Sequence, residues 1–524
     1  MDTSHSILRS AKYFFAGTAL SRLSGLFRDM AMAFCFGGAP EIAAFMVAYR
    51  LANLLRRLFG EGNLQSGFVP HFETLRAASP QAAFSFYRDS AYSLFALLSL
   101  CVLAIEGILW LLLGVLPAGW REIAELTMWM APGLLFICLS ALNSALLQCQ
   151  KKYFISAITP VLFNSVWIAA VLMVARFSLP EAVRFLSIGV TLAFAAQWGA
   201  TAAKVRKEVR VHLDWKEWLQ PRLFSSEWKK ILRPLALGVI GIGAMQINSA
   251  LDSIFARIAD LSGPTFLWYA IRVQQLPLAL FGIALSGALL PPLSRAMLEG
   301  DLDRYRRLLS GSLRQAAALM VPCAFGLFAL GAAGLNLLYG RGHFSSADLK
   351  ETLFCLWGYG LGVVPASFVL LLAAGCYAKK SYGSATNASL ISVAVNVAFN
   401  AILVFGFHWG AVSIALATSV SACLNCALLA RNQSLEPGFW GYLAKVTAAA
   451  AAASILSLGC GQWLLGDGTV ALCIGESFAF PRSPVQQIIQ FAGMGSVFLA
   501  SFLGIAWRLR LHEIFMLLRT RQRV

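Results

Sequence analysis

The chain has 524 residues, 58% hydrophobic and only 13% charged, with a net charge of +17 and a mean hydropathy of +0.69. Soluble domains average about 25% charged residues, so this balance excludes an ordinary soluble enzyme and points to an integral membrane protein. The excess of Lys and Arg sits mainly in short links between apolar runs, which reads as positive-inside topology and not as nucleic-acid binding.

The predicted elements begin with an apolar run behind Arg9 and Lys12; no small-residue cleavage signature precedes Arg22, so the run reads as a retained first helix. A spanning helix needs roughly 20 mostly apolar residues. Such segments fall near 9–36, 43–70, 89–116, 123–147, 155–176, 183–203, 231–259, 264–291, 310–338, 351–376, 384–407, 410–431, 440–464 and 486–508. They predict an all-α polytopic membrane protein of about fourteen transmembrane helices.

The links alternate in charge. Arg76 and Arg88, Lys151 and Lys152, the long basic link after the sixth segment, Arg295 with Arg304, Lys379 and Lys380, and Arg431 fall in one set; leaner links with Glu41, Arg121, Asp260, His343 and His408 fall in the other. Both termini are therefore expected in the cytoplasm. The link at 204–230 carries Trp215, Trp218 and Trp228 among its charges and predicts an amphipathic helix lying on the anionic leaflet. The 11 cysteines fall mostly within apolar helices and read as small buried hydrophobes.

An internal repeat is visible in two matches. AYRLANLLRRLFG from Ala48 aligns with AIRVQQLPLALFG from Ala270, pairing Arg50 with Arg272 and Pro70 with Pro292 at a constant offset of 222 (272 − 50). QCQKKYFISA from Gln148 aligns more faintly with CYAKKSYGSA from Cys376, setting Lys151 over Lys379. The offset spans six segments, so the halves share one orientation, and parallel repeats of this kind are a transporter architecture. The division this predicts is an N-lobe at 1–203, the basic link at 204–230, a C-lobe at 231–431, and two further spans with a basic tail at 432–524.

The stretch from Arg22 to Pro70 is apolar enough for a bilayer yet carries Arg22, Arg28, Asp29, Arg50, Arg56, Arg57 and Glu61. A charge at mid-bilayer costs about 2.5–3.5 kcal/mol even on insertion scales, so a protein or water interior must receive these groups. Arg22 and Asp29 share a helix face with Arg28 turned away, and Arg50, Asn53 and Arg57 lie along another face with Arg56 beside them. Planar, permanently charged guanidinium forks suit a phosphate or pyrophosphate, whereas snorkelling or structural pairing would be the plainer use of each arginine. Gly60, Gly62 and Gly67, with Gly282, Gly287, Pro291 and Pro292 in the other half, are expected to bend or break their helices. Asp252 is an isolated acid within a span, a default cation or proton site, with Asn396, Asn400 and Thr418 as further oxygens. The sequence has no HExxH, GxSxG or Walker motif, so neither metal hydrolysis nor nucleotide-driven transport has support and an enzyme is not expected.

SRLSGLFRD, AFMVAYRLANLLRRLFGEGNLQSGFVP and WYAIRVQQLPLALFGIALSGALLPPLSR closely resemble the MurJ (MviN) family of lipid II flippases, within the MOP exporter superfamily. The resemblance implies fourteen helices, two six-helix lobes around a V-shaped cavity, and a tail groove made by the last two helices. It implies transport of lipid II across the bacterial inner membrane for peptidoglycan and cell-shape maintenance. Lipid II, membrane lipids and cell-wall synthesis enzymes are the implied partners. The family's cavity arginines match Arg22, Arg28, Arg56 and Arg272, with Arg57 and Asn53 in the same motif. Its sodium site resembles Asp252, Asn396, Asn400 and Thr418; Asn400 stands where a carboxylate can occur, so Na+ or the membrane potential is the implied energy source. Ala43 and Ile271 replace acids of the family pattern, which makes this cavity more positive. The alternatives are export of another polyprenyl-linked oligosaccharide, or a membrane enzyme acting on polyprenyl phosphates.

Overall fold

The computed structural model describes residues 4–59, 63–279, 283–466, 468–473, 480–511 and 513–515, and every regular element among them is helical. The chain divides into two compact units, Met1–Ile254 and Phe255–Val524. Unit 1 contains α1 (Ser4–Phe36), α2 (Pro40–Phe59), α3 (Asn63–Ala78), α4 (Pro80–Leu113), α5 (Ala118–Met130), α6 (Gly133–Cys149), α7 (Tyr153–Val174), α8 (Leu179–Val209) and α9 (Trp215–Trp218). The unit boundary falls inside α10 (Ser226–Ala259). Unit 2 continues with α11 (Gly263–Pro277), α12 (Ile283–Leu298), α13 (Leu302–Tyr339), α14 (Ser346–Gly360), α15 (Val363–Ala378), α16 (Tyr382–Ala401) and α17 (Val412–Arg431). It ends with α18 (Phe439–Leu464), α19 (Thr469–Cys473) and α20 (Pro484–Arg508).

Each of the fourteen predicted segments coincides with one helix or a consecutive pair. Nine helical spans among the described residues are long and apolar enough to cross a membrane, or ten if the α5–α6 pair, bent by 42°, is one span. The remaining predicted segments, 9–36, 43–70, 231–259 and 264–291, each include residues or side chains outside the described ones. They correspond to α1, α2–α3, α10 and α11–α12, which carry Arg22, Arg28, Arg50, Arg56 and Arg272. The breaks expected at Gly60, Gly62 and Gly282 lie outside the described residues, as does Glu61; Pro70, Pro291 and Pro292 sit inside α3 and α12.

The repeat extends from single caps to whole packing patterns. Ser79 caps α4, its Oγ accepting from Ala82 N, and Asp301, 222 residues on, caps α13 by accepting from Arg304 N. α2 packs on α5 as α11 does on α14, α3 on α6 as α12 on α15, and α7 on α8 as α16 on α17. At the ends of α6 and α15 the register differs by one from the sequence match. Lys151 N donates to Gln148 O and Lys152 N to Leu147 O, while Lys380 N donates to Tyr377 O and Ser381 N to Cys376 O. Both are 6→1 and 5→2 helix stops, with Lys151 (φ 59°) and Lys380 (φ 57°) in the left-handed position. Lys151 therefore corresponds to Lys380 and not to Lys379, because the turn geometry, blind to which of two adjacent lysines it uses, sets the equivalence. Close approach is repeated too: a Cβ on Gly133 would stand 2.7 Å from the Phe194 ring, and one on Gly362 2.7 Å from Ser419 Oγ.

The 204–230 link is not the expected single amphipathic helix. α8 runs on to Val209, and a strap of turns then folds onto α4 through polar bonds that outcompete a surface helix. Arg88 Nη1 donates to Glu217 O (2.6 Å), Arg222 N to Asp89 Oδ1 (3.0 Å) and Phe224 N to Ser93 Oγ (2.8 Å). Trp228, expected among the surface charges, is fully buried at the start of α10. In unit 2, α18 and α20 pack on α13 and on each other. Gln487, fully buried at the start of α20, ties it to α13 by donating to Asn336 Oδ1 and Gly340 O while accepting from Arg341. Ten cysteines among the described residues are free thiols; Cys423, on α17, is exposed, and Cys426 follows one turn on, the chain's one C-x-x-C spacing.

Candidate functional site

Arg28 is built into the α1–α7 contact. Its Nε and Nη2 donate to Asp29 Oδ1 (3.0 and 2.8 Å), Nη1 donates to Asn164 Oδ1 (3.1 Å), and the guanidinium lies 4.5 Å over the Trp167 ring. Arg28 is 5% and Asp29 1% exposed. Asn164 is held by donating Nδ2 to Ser24 Oγ (2.8 Å), and Trp167 is boxed edge-on by Phe45, Tyr49 and Phe163. Adjacent residues point about 100° apart on a helix, yet the long arginine stem reaches round to its neighbour, so Asp29 joins Arg28 and not Arg22. Arg22 is exposed.

On α2, Arg50 is half-buried and donates Nη1 to Ser249 O on α10 (3.2 Å). Asn53 is buried, its Nδ2 turned back to Tyr49 O (2.8 Å), and its Oδ1 has no hydrogen-bond partner among the described residues. Arg56 is half-buried, and the Arg57 side chain lies outside the described residues. On α11, Arg272 is half-buried with its guanidinium 4.4 Å over the ring of Trp268 one turn earlier.

The residue after Arg272 opens an apolar groove in unit 2. It holds about 510 Å³ between α11, α13 and α20, lined by Val273, Leu276, Pro277, Leu327, Phe491 and Phe498 among others. Gly326 and Gly334 keep it open: a Cβ on Gly334 would approach Phe491 to 3.3 Å, and one on Gly326 would meet Phe498 at 3.8 Å. The groove thus takes one wall from α20, while α18 packs on α13 and α20; the expected groove between the last two spans is drawn instead against α11 and α13 because α18 is buried by its alanine face, Ala449, Ala450 and Ala453. An arginine stacked on tryptophan beside an apolar channel is matched to an amphiphile with an anionic end.

Of the candidate cation ligands, Asp252 is buried in unit 1, where Asn248 Nδ2 lies 3.5 Å from its Oδ2. Asn396, Asn400 and Thr418 belong to unit 2. Asn400 Nδ2 donates to Asn396 Oδ1 (3.0 Å), both are buried, and Thr418 Oγ1 donates to Ile414 O (2.9 Å). One residue past Ala401 the helix widens into a π-turn, Ile402–Gly406, a deformation that concentrates at functional sites. The neutral carbonyl and hydroxyl oxygens of Asn396, Asn400 and Thr418 are hard donors, which fit an alkali cation better than a transition metal.

Sequence reasoning missed Trp167, Asn164 and Trp268. Trp268 was legible as the i−4 neighbour of Arg272; Asn164 and Trp167 stand far along the chain and carry no local signal.

The family model "Lipid II flippase MurJ" matches residues 32–479. The chain is 29% identical to "Probable lipid II flippase MurJ" of Chlamydia pneumoniae over 98% of this chain and 94% of that one. It is 30% identical to the same-named protein of Chlamydia trachomatis, over 84% and 78%, and 28% identical to "Lipid II flippase MurJ" of Burkholderia cenocepacia, over 94% and 95%. Among solved structures it is similar to "Lipid II flippase MurJ, inward closed conformation", with TM-score 0.73, 22% identity and coverage of 95% and 99%. It also resembles an inward-facing multidrug resistance MATE family transporter of the MOP superfamily, with TM-score 0.65, 13% identity and coverage of 82% and 95%.

Proposed function

Since the chain belongs to the MurJ family of lipid II flippases, we propose that it carries lipid II from the inner to the outer leaflet of the bacterial cytoplasmic membrane by alternating access. The observation that supports this reading best is in unit 2: Arg272, stacked on Trp268, is followed directly along α11 by Val273, a lining residue of the apolar groove. A pyrophosphate needs fixed cations at one end of its site, and a polyprenyl tail needs a dry apolar channel at the other. One stretch of α11 supplies both.

In this proposal Arg22, Arg28, Arg56 and Arg272, with Arg57 and Asn53, hold the pyrophosphate and sugar-peptide headgroup. Guanidinium is apt because it stays charged when desolvated and offers paired donors to phosphate oxygens. The stacked tryptophans fix the planes of two of the forks before the ligand arrives, which lowers the ordering cost of binding. Asp252, Asn396, Asn400 and Thr418 would hold Na+, a counter-charge for the return of the emptied transporter; an inside-negative potential acting on the arginines would favour the same return. Both termini and the basic strap lie on the cytoplasmic side, where the strap is available to cell-wall synthesis enzymes.

The test is complementation of a strain depleted of its own flippase. Arg272→Ala should fail to restore lipid II translocation at wild-type protein levels. Full restoration by Arg272→Ala would contradict the headgroup role. An exporter of a different polyprenyl-linked oligosaccharide would leave even the wild-type chain unable to complement.

A further inference from the structure

We propose that unit 1 contains a second amphiphile site, which takes a membrane phospholipid with an anionic headgroup and uses it to fasten the strap that follows α8. A cavity of about 810 Å³ lies between α4, α6 and α8 and is roofed by the strap; ligand pockets typically measure roughly 300–1,000 Å³. Nothing in the lipid II reading uses it.

The cavity's chemistry is graded along α8. Trp198, with Phe95 and Leu139 opposite, lines one end, and Arg206 and Arg210 line the other. From Trp198 to Arg210 the helix rises about 18 Å, and the predicted span ends at 203. The apolar end therefore lies at acyl-chain depth and the guanidinium pair at headgroup depth, where half the hydrocarbon core is about 15 Å. Neither guanidinium has a hydrogen-bond or ion-pair partner among the described residues. Asp214 is the carboxylate at this mouth. It opens α9 in a capping box with Glu217, whose Oε2 accepts from Asp214 N (2.9 Å) while its Oε1 accepts from Gln81 Nε2 (2.9 Å). Glu217 is thus held by Asp214 N and by Gln81 of α4, and two exposed arginines remain for an anion.

The roof and floor are preformed. Trp218 packs against Tyr87 (ring centroids 6.3 Å) and Tyr92 (5.8 Å), and tryptophan prefers headgroup depth. Beneath it Tyr87 Oη donates to Asn143 Oδ1 (2.6 Å) and Asn143 Nδ2 to Thr201 Oγ1 (3.0 Å), a connected buried network that holds α4, α6 and α8 in register. A phosphate on Arg206 and Arg210 would join the end of α8 to the Trp215–Trp218 turn. Free inorganic phosphate would leave the apolar end unused, and a zwitterionic headgroup would offer no net charge to the arginines. Among the described residues no such strap follows α17, which leads within a few residues into α18.

The test uses the full-length protein purified in mild detergent, with bound lipid counted by mass spectrometry after addition of phosphatidylglycerol, phosphatidylcholine, lipid II or inorganic phosphate. The expected result is one retained phosphatidylglycerol per chain, at least tenfold preferred over phosphatidylcholine, falling about tenfold in Arg206→Gln/Arg210→Gln. The control Arg176→Gln/Arg184→Gln removes the same charge elsewhere on unit 1 and should leave retention unchanged. Phosphatidylglycerol should also protect the strap from trypsin at Lys216 and Arg222 in wild type and not in the pocket variant; Ala202→Trp, which fills the apolar end, should lose both effects. Equal retention of phosphatidylcholine, retention unchanged in the pocket variant, strap protection by inorganic phosphate alone, or displacement of phosphatidylglycerol by lipid II as the preferred occupant would each overturn the proposal. Lipid II translocation by wild type is measured alongside, so a failure of the flippase reading is seen separately.

Discussion

Arg28 and Asp29 share a charge that the bilayer would otherwise penalise, and the sharing makes a simple alanine test ambiguous. Arg28→Ala removes the ion-pair partner of a carboxylate that is 1% exposed, and removing one member of a buried ion pair costs about 3–5 kcal/mol. Loss of transport in that variant would follow from unfolding as readily as from loss of a ligand contact. Arg28→Ala/Asp29→Asn removes both charges of the pair; it is expected to regain most of the thermal stability while transport stays at least tenfold reduced. Recovery of transport with stability would assign Arg28 a purely structural role. Arg272 is cleaner, having Trp268 as a stacking partner on its own helix. Arg272→Lys keeps the charge but loses the fork and the stack, so transport should fall about tenfold with no change in expression. The sequence made the arginines conspicuous because charge in an apolar run is improbable. It left their partners hidden, because Asn164 and Trp167 meet Arg28 only after α7 packs on α1.

α3 and the start of α10 are joined by His71 Nε2 and Glu227 Oε2 at 2.7 Å, with Lys230 donating to Glu227 Oε1 at 2.7 Å. The Lys230 hydrogen bond is the main reason the Glu227 carboxyl is held below its ordinary value of 4.5; His71 adds to it and burial opposes it. A carboxyl depressed in the folded state stabilises above its unfolded value, and that contribution is lost as pH falls through the folded one. Thermal stability of wild type should therefore drop below about pH 4.5, with a shallower acid limb in Glu227→Gln; identical limbs would contradict the contact. In the groove, Gly326→Leu adds bulk where a Cβ has only ordinary contact with Phe498. It should keep or raise stability, since leucine favours a helix by nearly 1 kcal/mol over glycine, yet slow lipid II transport severalfold by filling the tail channel. Unaltered transport would place the tail elsewhere. The apolar segments themselves were legible from composition, because a bilayer-length run has few alternatives. The strap was not, since its bonds to Arg88, Asp89 and Ser93 leave no periodicity to read.

Eight helices of one half recur in order in the other, down to the capping positions Ser79 and Asp301 and the left-handed Lys151 and Lys380. The Arg50–Arg272 match revealed this duplication in the sequence, where few residues besides arginine, leucine and proline persist; the caps and stops preserve geometry while the residues change, which is why the second match slipped by one. Arg50 on α2 and Arg272 on α11 occupy repeat-related positions, so duplication placed charge within the apolar segments of both halves alike. The central claim, that this polarity serves inward-to-outward passage of lipid II, is tested most directly by depleting the protein in living cells and measuring the leaflet in which lipid II accumulates. Accumulation in the inner leaflet, relieved by re-expression of wild type and not by Arg272→Ala, is the expected result. Accumulation in the outer leaflet, or an undisturbed distribution, would contradict it.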